Sequence, residues 1–190
     1  ALLAIQRASN HYFQRPDATR AHVDSTATSM SGAEWRVQLD RQNSEHWTGS
    51  IWTAGVTRGF EVNDLGFSRN RERLDGGFRA GYRELTPGRI LRQYSFNFTT
   101  IYNFSWEAFD DPGSWSSWQR AYTNGTFNLG SHITLLNYKT ANLNLSFRPD
   151  QYSRTATRGG PVMIQPGNFS GRFGVGTDRR RPTSFRANLN

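Results

Sequence analysis

The feature that most constrains the fold is a strict alternation of side-chain type between Arg89 and Trp106. One parity is almost wholly aromatic, and the other is almost wholly amide or hydroxyl. Successive side chains of a β-strand point to opposite faces, so the segment predicts a strand with one aromatic and one polar face. Its length far exceeds the roughly five or six residues usual in globular strands. The aromatic parity is Tyr94, Phe96, Phe98, Thr100, Tyr102, Phe104, Trp106; the polar parity is Gln93, Ser95, Asn97, Thr99, Ile101, Asn103, Ser105.

The same alternation recurs along most of the chain. It is found at residues 35–40, 74–83, 120–129, 141–148, 168–175 and 184–189. Two further segments, Leu2 to Phe13 and His46 to Thr57, are also interpreted as strands, although their faces are ambiguous. We therefore predict an all-β fold, an antiparallel up-and-down meander of about nine strands, without a helical segment.

The connections between these segments alternate between short and long. An up-and-down meander places every second connection at the same end, so tight turns belong to one end and long loops to the other. Outer-membrane β-barrels have this asymmetry. We expect residues 1–190 to form a single segment of such a barrel, truncated at both ends. The short connections lie near 43–45, 85–88, 136–137 and 178–182, and the long ones near 14–32, 58–72, 107–116 and 149–167.

Composition removes several classes of function. The chain has no Cys and four scattered His, so disulfide scaffolds, thiolate metal sites and Cys nucleophiles are excluded and a metal centre is not expected. We find no catalytic constellation, and we expect neither an enzyme nor a cofactor. The formal charge is +8, but the most basic run, Arg179 to Arg181, occupies a predicted short turn. We therefore expect membrane lipid, and not nucleic acid, as the partner.

Two soluble alternatives remain open. In a soluble β-sandwich or lipocalin-like barrel, the apolar faces would turn inward. Against this, Gly76, Gly125 and Gly171 interrupt the apolar faces, and lipid tolerates such gaps better than a packed core does. The second alternative is a soluble extracellular carbohydrate-binding β-domain whose exposed tryptophans stack on sugar rings. Its candidate rings are Trp47, Trp52, Trp115 and Trp118.

A nine-residue stretch, Gly59-Phe60-Glu61-Val62-Asn63-Asp64-Leu65-Gly66-Phe67, carries a family resemblance. With the stretches at 12–17, 86–89 and 158–163, it resembles the bacterial domain of unknown function family 5916. Members join an N-terminal carbohydrate-binding family 9-like domain to a C-terminal outer-membrane-type β-barrel. The resemblance implies a Gram-negative outer-membrane location, a membrane scaffold or pore, and a link to glycan capture or uptake. The chain departs from the family by ending at Asn190 instead of an aromatic residue, and by lacking the carbohydrate-binding domain.

The same stretch supplies candidate site residues. Glu61, Asn63 and Asp64 offer the oxygen ligands that calcium prefers, which is one interpretation of the loop. The other is a plug that folds over the barrel mouth, with Phe60 and Phe67 as apolar anchors. In the plug, Glu61 and Asp64 are expected to reach Arg79 and Arg83.

Arginines dominate the charged residues of the polar parity. If that face lines a lumen, guanidinium groups would offer a path or binding surface for anionic or sugar-like solutes. The alternative is an interior network that fills the barrel through pairing with Asp40, Asp75 and the asparagines. The candidate lumen or ligand-contact residues are Arg36, Asp75, Arg79, Arg83, Arg120, Arg172 and Arg186, together with Arg148.

Overall fold

The computed structural model describes residues 2–9, 11–62 and 72–190. The helices within these ranges are α1 (Leu2–Arg7) and α2 (Trp115–Ala121), with a short 3-10 helix at Trp106–Phe109. The strands are β1 (Glu34–Arg41), β2 (Trp47–Val56), β3 (Arg73–Glu84), β4 (Leu91–Ser105), β5 (Tyr122–Leu135), β6 (Thr140–Arg148), β7 (Gln151–Ser153), β8 (Met163–Gln165), β9 (Asn168–Gly176) and β10 (Arg186–Leu189).

Eight of the strands form one antiparallel sheet in the order β1-β2-β3-β4-β5-β6-β9-β10. Every neighbouring pair is joined by a direct connection along the chain, and β7 pairs with β8 inside the connection between β6 and β9. The predicted all-β antiparallel meander is therefore confirmed. The sheet is open within the described ranges, because β1 pairs only with β2 and β10 only with β9.

The connections define two ends of the sheet. We call the end with the short connections β1–β2, β3–β4, β5–β6 and β9–β10 the turn end, and the opposite end the loop end. Both the segment before β1 and the long connections lie at the loop end. The alternation of connection lengths predicted from the sequence is thus present in the structure.

Strand register places the predicted apolar parities of the eight sheet strands on one side, except at the start of β5. Phe98, for example, lies opposite Ala80 on β3 and Leu129 on β5. We call this side the apolar face and the other the polar face. The apolar face includes Val37, Leu39, Ile51, Phe78, Phe96, Phe98, Phe127, Leu129, Leu143, Leu145, Phe147, Phe169, Phe173 and Leu189.

No second layer covers most of the apolar face within the described part of the chain. Eleven of the side chains just named are 42 to 73% exposed: Val37, Leu39, Ile51, Phe78, Phe96, Phe127, Leu129, Phe147, Phe169, Phe173 and Leu189. Monomeric soluble proteins rarely expose a contiguous apolar patch of this extent. The arrangement therefore differs from a closed soluble sandwich or barrel, in which these side chains would be buried.

The buried residues lie mainly at the loop end. They include Phe13, Ala18 and Ala21 from the segment before β1, Val56 at the end of β2, and Ala108 in the 3-10 helix. Trp106 Nε1 donates a hydrogen bond to the Val56 carbonyl at 2.9 Å, which ties the 3-10 helix to β2. The chain thus combines an open sheet with a compact cap at one end.

Two segments that were predicted to contain no helix are helical in the structure. The predicted strand at Leu2 to Phe13 is wrong, because Leu2–Arg7 is helical and its Gln6 side chain exchanges hydrogen bonds with the backbone of Asp24. The expected absence of helix is also wrong at Trp115–Ala121. Both helices are too short for a helical period to stand out in the sequence. No helix in the described ranges is long and apolar enough to cross a membrane.

A register shift between β4 and β5 changes the side on which one residue lies. Asn103 pairs with Asn124, whereas Phe104 pairs with Tyr122, so Thr123 is the extra residue of a bulge. Tyr122 therefore joins the apolar face, although its parity in the sequence is that of the polar side chains. The same region corrects the placement of Arg120, which lies in α2 and not on a strand.

Candidate functional site

The centre of the apolar face is built from aliphatic and phenylalanine side chains of successive strands. Phe78 and Phe98 are in ring contact with centroids 6.3 Å apart, and Phe127 and Phe147 are stacked at the same distance. These pairs sit on neighbouring strands, so the face is continuous across the sheet. The hydroxyl groups of Thr53, Thr100 and Ser131 lie among these apolar side chains on the same face.

Tyrosine and tryptophan cluster where the apolar face meets the turn end. Trp47 and Tyr82 have ring centroids 4.9 Å apart, and Tyr82 and Tyr94 lie 5.9 Å apart. Tyr94 in turn contacts Phe96 at 5.9 Å. The result is a band of amphipathic rings that runs across β2, β3 and β4.

A second aromatic cluster lies at the loop end of the same face. Phe104 contacts Trp118 of α2 at 5.2 Å and Tyr122 at 5.4 Å, both edge to face. Trp115, in the first turn of α2, is 79% exposed. The middle of the apolar face is therefore flanked by aromatic clusters at both ends.

The polar face carries hydrogen-bonded ladders of long side chains. On β1, Arg36 Nη2 donates to Gln38 Oε1 at 2.7 Å, and Gln38 Nε2 donates to Asp40 at 2.8 Å. The Arg36 guanidinium also lies 4.5 Å from the ring centroid of Trp52 on β2. Sequence analysis left the side of Trp52 open, and the register assigns it to the polar face.

The predicted lumen residues other than Arg120 lie on the polar face by register: Arg36, Asp75, Arg79, Arg83, Arg148, Arg172 and Arg186. They do not form one cluster. Near the loop end, Asp75 Oδ1 accepts a hydrogen bond from Asn103 Nδ2 at 2.5 Å, and Asp75 Oδ2 forms an ion pair with Arg73 Nε at 2.9 Å. Arg172 Nε donates to Asn190 Oδ1 at 2.7 Å.

At the loop end, next to the polar face, buried ion pairs link four residues from distant parts of the chain. Arg15 Nη2 lies 2.5 Å from Glu107 Oε1, and Arg154 pairs with Glu72 through its Nη2. Arg154 Nη1 also donates to the backbone carbonyl of Glu72 at 3.1 Å. We call Arg15, Glu72, Glu107 and Arg154 the loop-end network. Arg154 Nη2 lies 4.0 Å from Glu107 Oε1, which joins its two pairs.

A more exposed pair holds the same N-terminal segment nearby. Asp110 accepts hydrogen bonds from Thr19 and from Arg20 Nε. Partial burial acts to raise the pKa of Asp110, but the bonds from Thr19 and Arg20 outweigh it, so the pKa lies below the ordinary value. Asp110 thereby anchors the segment before β1.

The predicted loop plug is only partly described. Glu61 Oε2 lies 3.7 Å from His11 Nδ1 of the N-terminal segment. Phe60 is also among the described residues, whereas Asn63, Asp64 and Phe67 lie outside them. The metal-clamp interpretation needs Asn63 and Asp64, so it too falls outside them.

Arg79 and Arg83, the expected partners of Glu61 and Asp64, both lie on β3. Arg83 is near the turn end of β3, where its Nη2 contacts the Ser44 carbonyl at 3.5 Å. Arg79 lies in the middle of the same strand, opposite Thr99. The strand runs away from the loop end at ~3.3 Å per residue, which separates both arginines from the start of the loop. Asp64 lies outside the described residues, and the contact of Glu61 and Asp64 with these arginines stays a prediction.

Sequence reasoning missed the loop-end network. Arg15 and Glu107 are 92 positions apart, and Glu72 and Arg154 are 82 apart. Neither pair has a spacing that a motif could reveal, since both arise from loops brought together by the meander. The only usable signal was that the long connections share one end of the sheet.

Residues 1–190 match the family described as Domain of unknown function (DUF5916). No curated protein and no solved structure matches the chain.

Proposed function

The chain belongs to the DUF5916 family of domains of unknown function, and we propose from its geometry that it forms part of the wall of an outer-membrane β-barrel. The observation that carries the proposal is the uncovered apolar face, continuous across eight strands. Lipid hydrocarbon chains could cover that face, because they have no polar groups that would need hydrogen-bond partners on it. The role is that of a membrane scaffold or pore, and not of an enzyme.

The dimensions of the apolar face support the proposal. Tyr94 in the turn-end cluster and Phe104 in the loop-end cluster are ten residues apart on β4, which is ~33 Å at ~3.3 Å per residue. A strand tilted by ~40° then rises by ~25 Å, the height of the apolar band in outer-membrane barrels. Rings of Tyr and Trp border that band at both interfaces in such barrels.

The two open edges of the sheet would have to be paired if the sheet crosses a membrane. The outer edges of β1 and β10 carry backbone groups that no neighbouring strand pairs within the described ranges. The bilayer core holds no water to satisfy such groups, so a spanning sheet must close. We propose that further strands, from the same protein or another copy, complete the barrel beyond β1 and β10.

The polar face would then line the interior. Its arginines and asparagines alternate along the strands and present donors for carboxylates, hydroxyls and other oxygen acceptors. This chemistry suits a route for anionic or sugar-like solutes, and it is consistent with a role in glycan capture or uptake. The start of the Phe60 loop and the N-terminal segment would cover this interior at the loop end, which is the plug role.

The soluble carbohydrate-binding alternative receives less support. Trp47 and Trp52 lie on opposite faces of β2 because they are five positions apart. Trp115 and Trp118 lie on α2, at the other end of the sheet from Trp47. The four tryptophans therefore offer no common platform on which a sugar chain could stack.

Two adjacent positions of β2 test the membrane role. Ile51 on the apolar face and Trp52 on the polar face lie at the same depth but on opposite sides. One variant keeps Trp52 and replaces the other five tryptophans by Phe. A second replaces all six by Phe and adds Ile51→Trp. Both are reconstituted in vesicles of lipids brominated near the bilayer midplane.

We expect strong fluorescence quenching for Ile51→Trp and weak quenching for Trp52. Equal quenching of the two, or failure of both chains to enter vesicles, contradicts the proposal. A monodisperse monomer without detergent, with Ile51→Trp shielded from water in that state, would favour the soluble alternative.

A further inference from the structure

A polar cavity lies beside the loop-end network. Its volume is about 250 Å³, room for about eight waters at ~30 Å³ each and close to the lower size of small-molecule pockets. It is bounded by the N-terminal segment, by the loop-end starts and finishes of β3, β4 and β5, and by the β7 region. Its lining includes Tyr12, Arg15, Glu72, Asn124, Tyr152 and Arg154.

The charges around this cavity are already paired. Arg15 is paired with Glu107 through Nη2, and Glu72 with Arg154 through Oε2. The Arg15 side chain is only 1% exposed and that of Glu72 only 4%. A charged ligand would therefore find no unpaired opposite charge in the cavity, and removing its charge from water would cost free energy.

Several polar atoms of these same side chains have no hydrogen-bond partner among residues 2–9, 11–62 and 72–190. They are Arg15 Nε and Nη1, Arg154 Nε and Glu72 Oε1. Arg15 Nη1 lies 3.6 Å from Asp17 Oδ1, which is too long for a hydrogen bond. Buried polar groups in native structures nearly always find a partner, so the set calls for an occupant that offers both acceptors and a donor.

We infer that this cavity binds a small neutral polyhydroxylated molecule of about monosaccharide size. Each hydroxyl group can accept from a guanidinium N–H and donate to a carboxylate oxygen, which matches the unpartnered atoms without adding charge. Tyr12 and Tyr152 add aromatic rings to the same lining, which suits the apolar face of a sugar ring. The site lies at the loop end and does not depend on the proposed contact with lipid.

The test uses the full chain in a detergent without a sugar headgroup and in a buffer without glycerol. Glucose and galactose are the neutral probes, alanine is the zwitterionic probe and glucuronate is the anionic one. Binding is followed by saturation-transfer NMR and by titration of amide shifts. We expect saturable binding of a neutral sugar, with alanine and glucuronate at least about tenfold weaker.

Two matched pairs of variants locate the site. Arg15→Lys keeps the charge beside Glu107 but removes cavity donors, so it should weaken sugar binding at least about tenfold, the equivalent of one charged hydrogen bond. Arg20→Lys, in the outer pair with Asp110, should leave binding unchanged. Asn124→Trp should fill the cavity from the exposed surface of β5 and block binding, while Asn128→Trp, on the same face of β5, should not.

Three results would overturn the inference. The first is the absence of saturable binding by both sugars, which would mean that water alone fills the cavity. The second is alanine or glucuronate binding as tightly as the sugars. The third is equal loss in Arg15→Lys and Arg20→Lys together with no effect of Asn124→Trp. None of these bears on the bromolipid experiment, so the two proposals fail separately.

Discussion

The ring of Tyr102 lies directly over Gly76, its cross-strand neighbour in the β3–β4 register. A Cβ at Gly76 would overlap that ring, so the absence of a side chain at Gly76 lets the Tyr102 ring pack against the β3 backbone. Trp35 covers Gly55 in the same way on the same face. Aromatic side chains that pack over glycine on a neighbouring strand are a known device for fixing register. The sequence-based interpretation of Gly76 as a gap in the apolar face is therefore corrected.

Gly76→Ala should destabilise the protein by about 1 to 3 kcal/mol, because the added methyl group displaces Tyr102. Gly171→Ala is the matched control on the same face, since its Cβ would meet Leu145 Cδ2 at 3.3 Å and Phe169 Cε1 at 4.0 Å, both of them side-chain atoms. It should be neutral or slightly stabilising. Urea unfolding followed by circular dichroism measures both. Removing the ring with Tyr102→Ala should abolish the cost of Gly76→Ala; a cost that persists would contradict this account.

Phe98→Arg tests the apolar face at the midpoint of β4. Near the bilayer midplane, an arginine costs about 2 to 4 kcal/mol. Asn97→Arg, its neighbour on the polar face, should cost far less, because that side chain would face water or the barrel interior. The readout is the free energy of unfolding in lipid vesicles. Similar small effects at both positions would count against contact between Phe98 and lipid.

Arg154→Met tests the loop-end network. It leaves the Glu72 carboxylate buried without its partner, which costs about 3 to 5 kcal/mol in comparable buried pairs. Arg20→Met breaks the exposed pair with Asp110, where both side chains are at least 30% exposed, and should cost no more than about 1 kcal/mol. Urea unfolding of both variants gives the comparison. Equal losses would show that burial of Glu72 is not what makes its pair important.

Asp178 gives a pH dependence at the turn end. Hydrogen bonds from the Arg180 side chain and backbone lower the pKa of Asp178 to about 2 from an ordinary value of 3.8. Because the folded pKa is depressed, this carboxylate contributes stability above about pH 4 and loses it as the pH falls toward 2.

Carboxyl ¹³C NMR of Asp178 measures that midpoint directly. The stability difference between wild type and Asp178→Asn should shrink between about pH 4 and pH 2. A titration midpoint close to 3.8, or a difference independent of pH, would exclude the Arg180 clamp. The same clamp places the Arg180 guanidinium 3.1 Å from the ring centroid of Tyr138, so loss of the Asp178 charge should also shift the Tyr138 ring signals.

The sequence by itself determined the strands of the large sheet and the two faces that they share. Period-two alternation is a property of each strand alone, so it survives without knowledge of the neighbours. This is why Phe96 and Phe98 could be assigned to one side and Asn97 to the other before any pairing was known. Connection lengths likewise indicated which loops share an end.

Only the tertiary structure decided the strand register and the contacts between distant loops. The bulge at Thr123 moves Tyr122 to the apolar face, because register is a relation between two strands. The contacts of Arg15 with Glu107 and of Arg154 with Glu72 join segments more than eighty positions apart. Such pairs depend on which distant segments meet in the folded chain, and the local alternation of side chains carries no information about those contacts. The candidate binding cavity beside these pairs is therefore visible only in the tertiary structure.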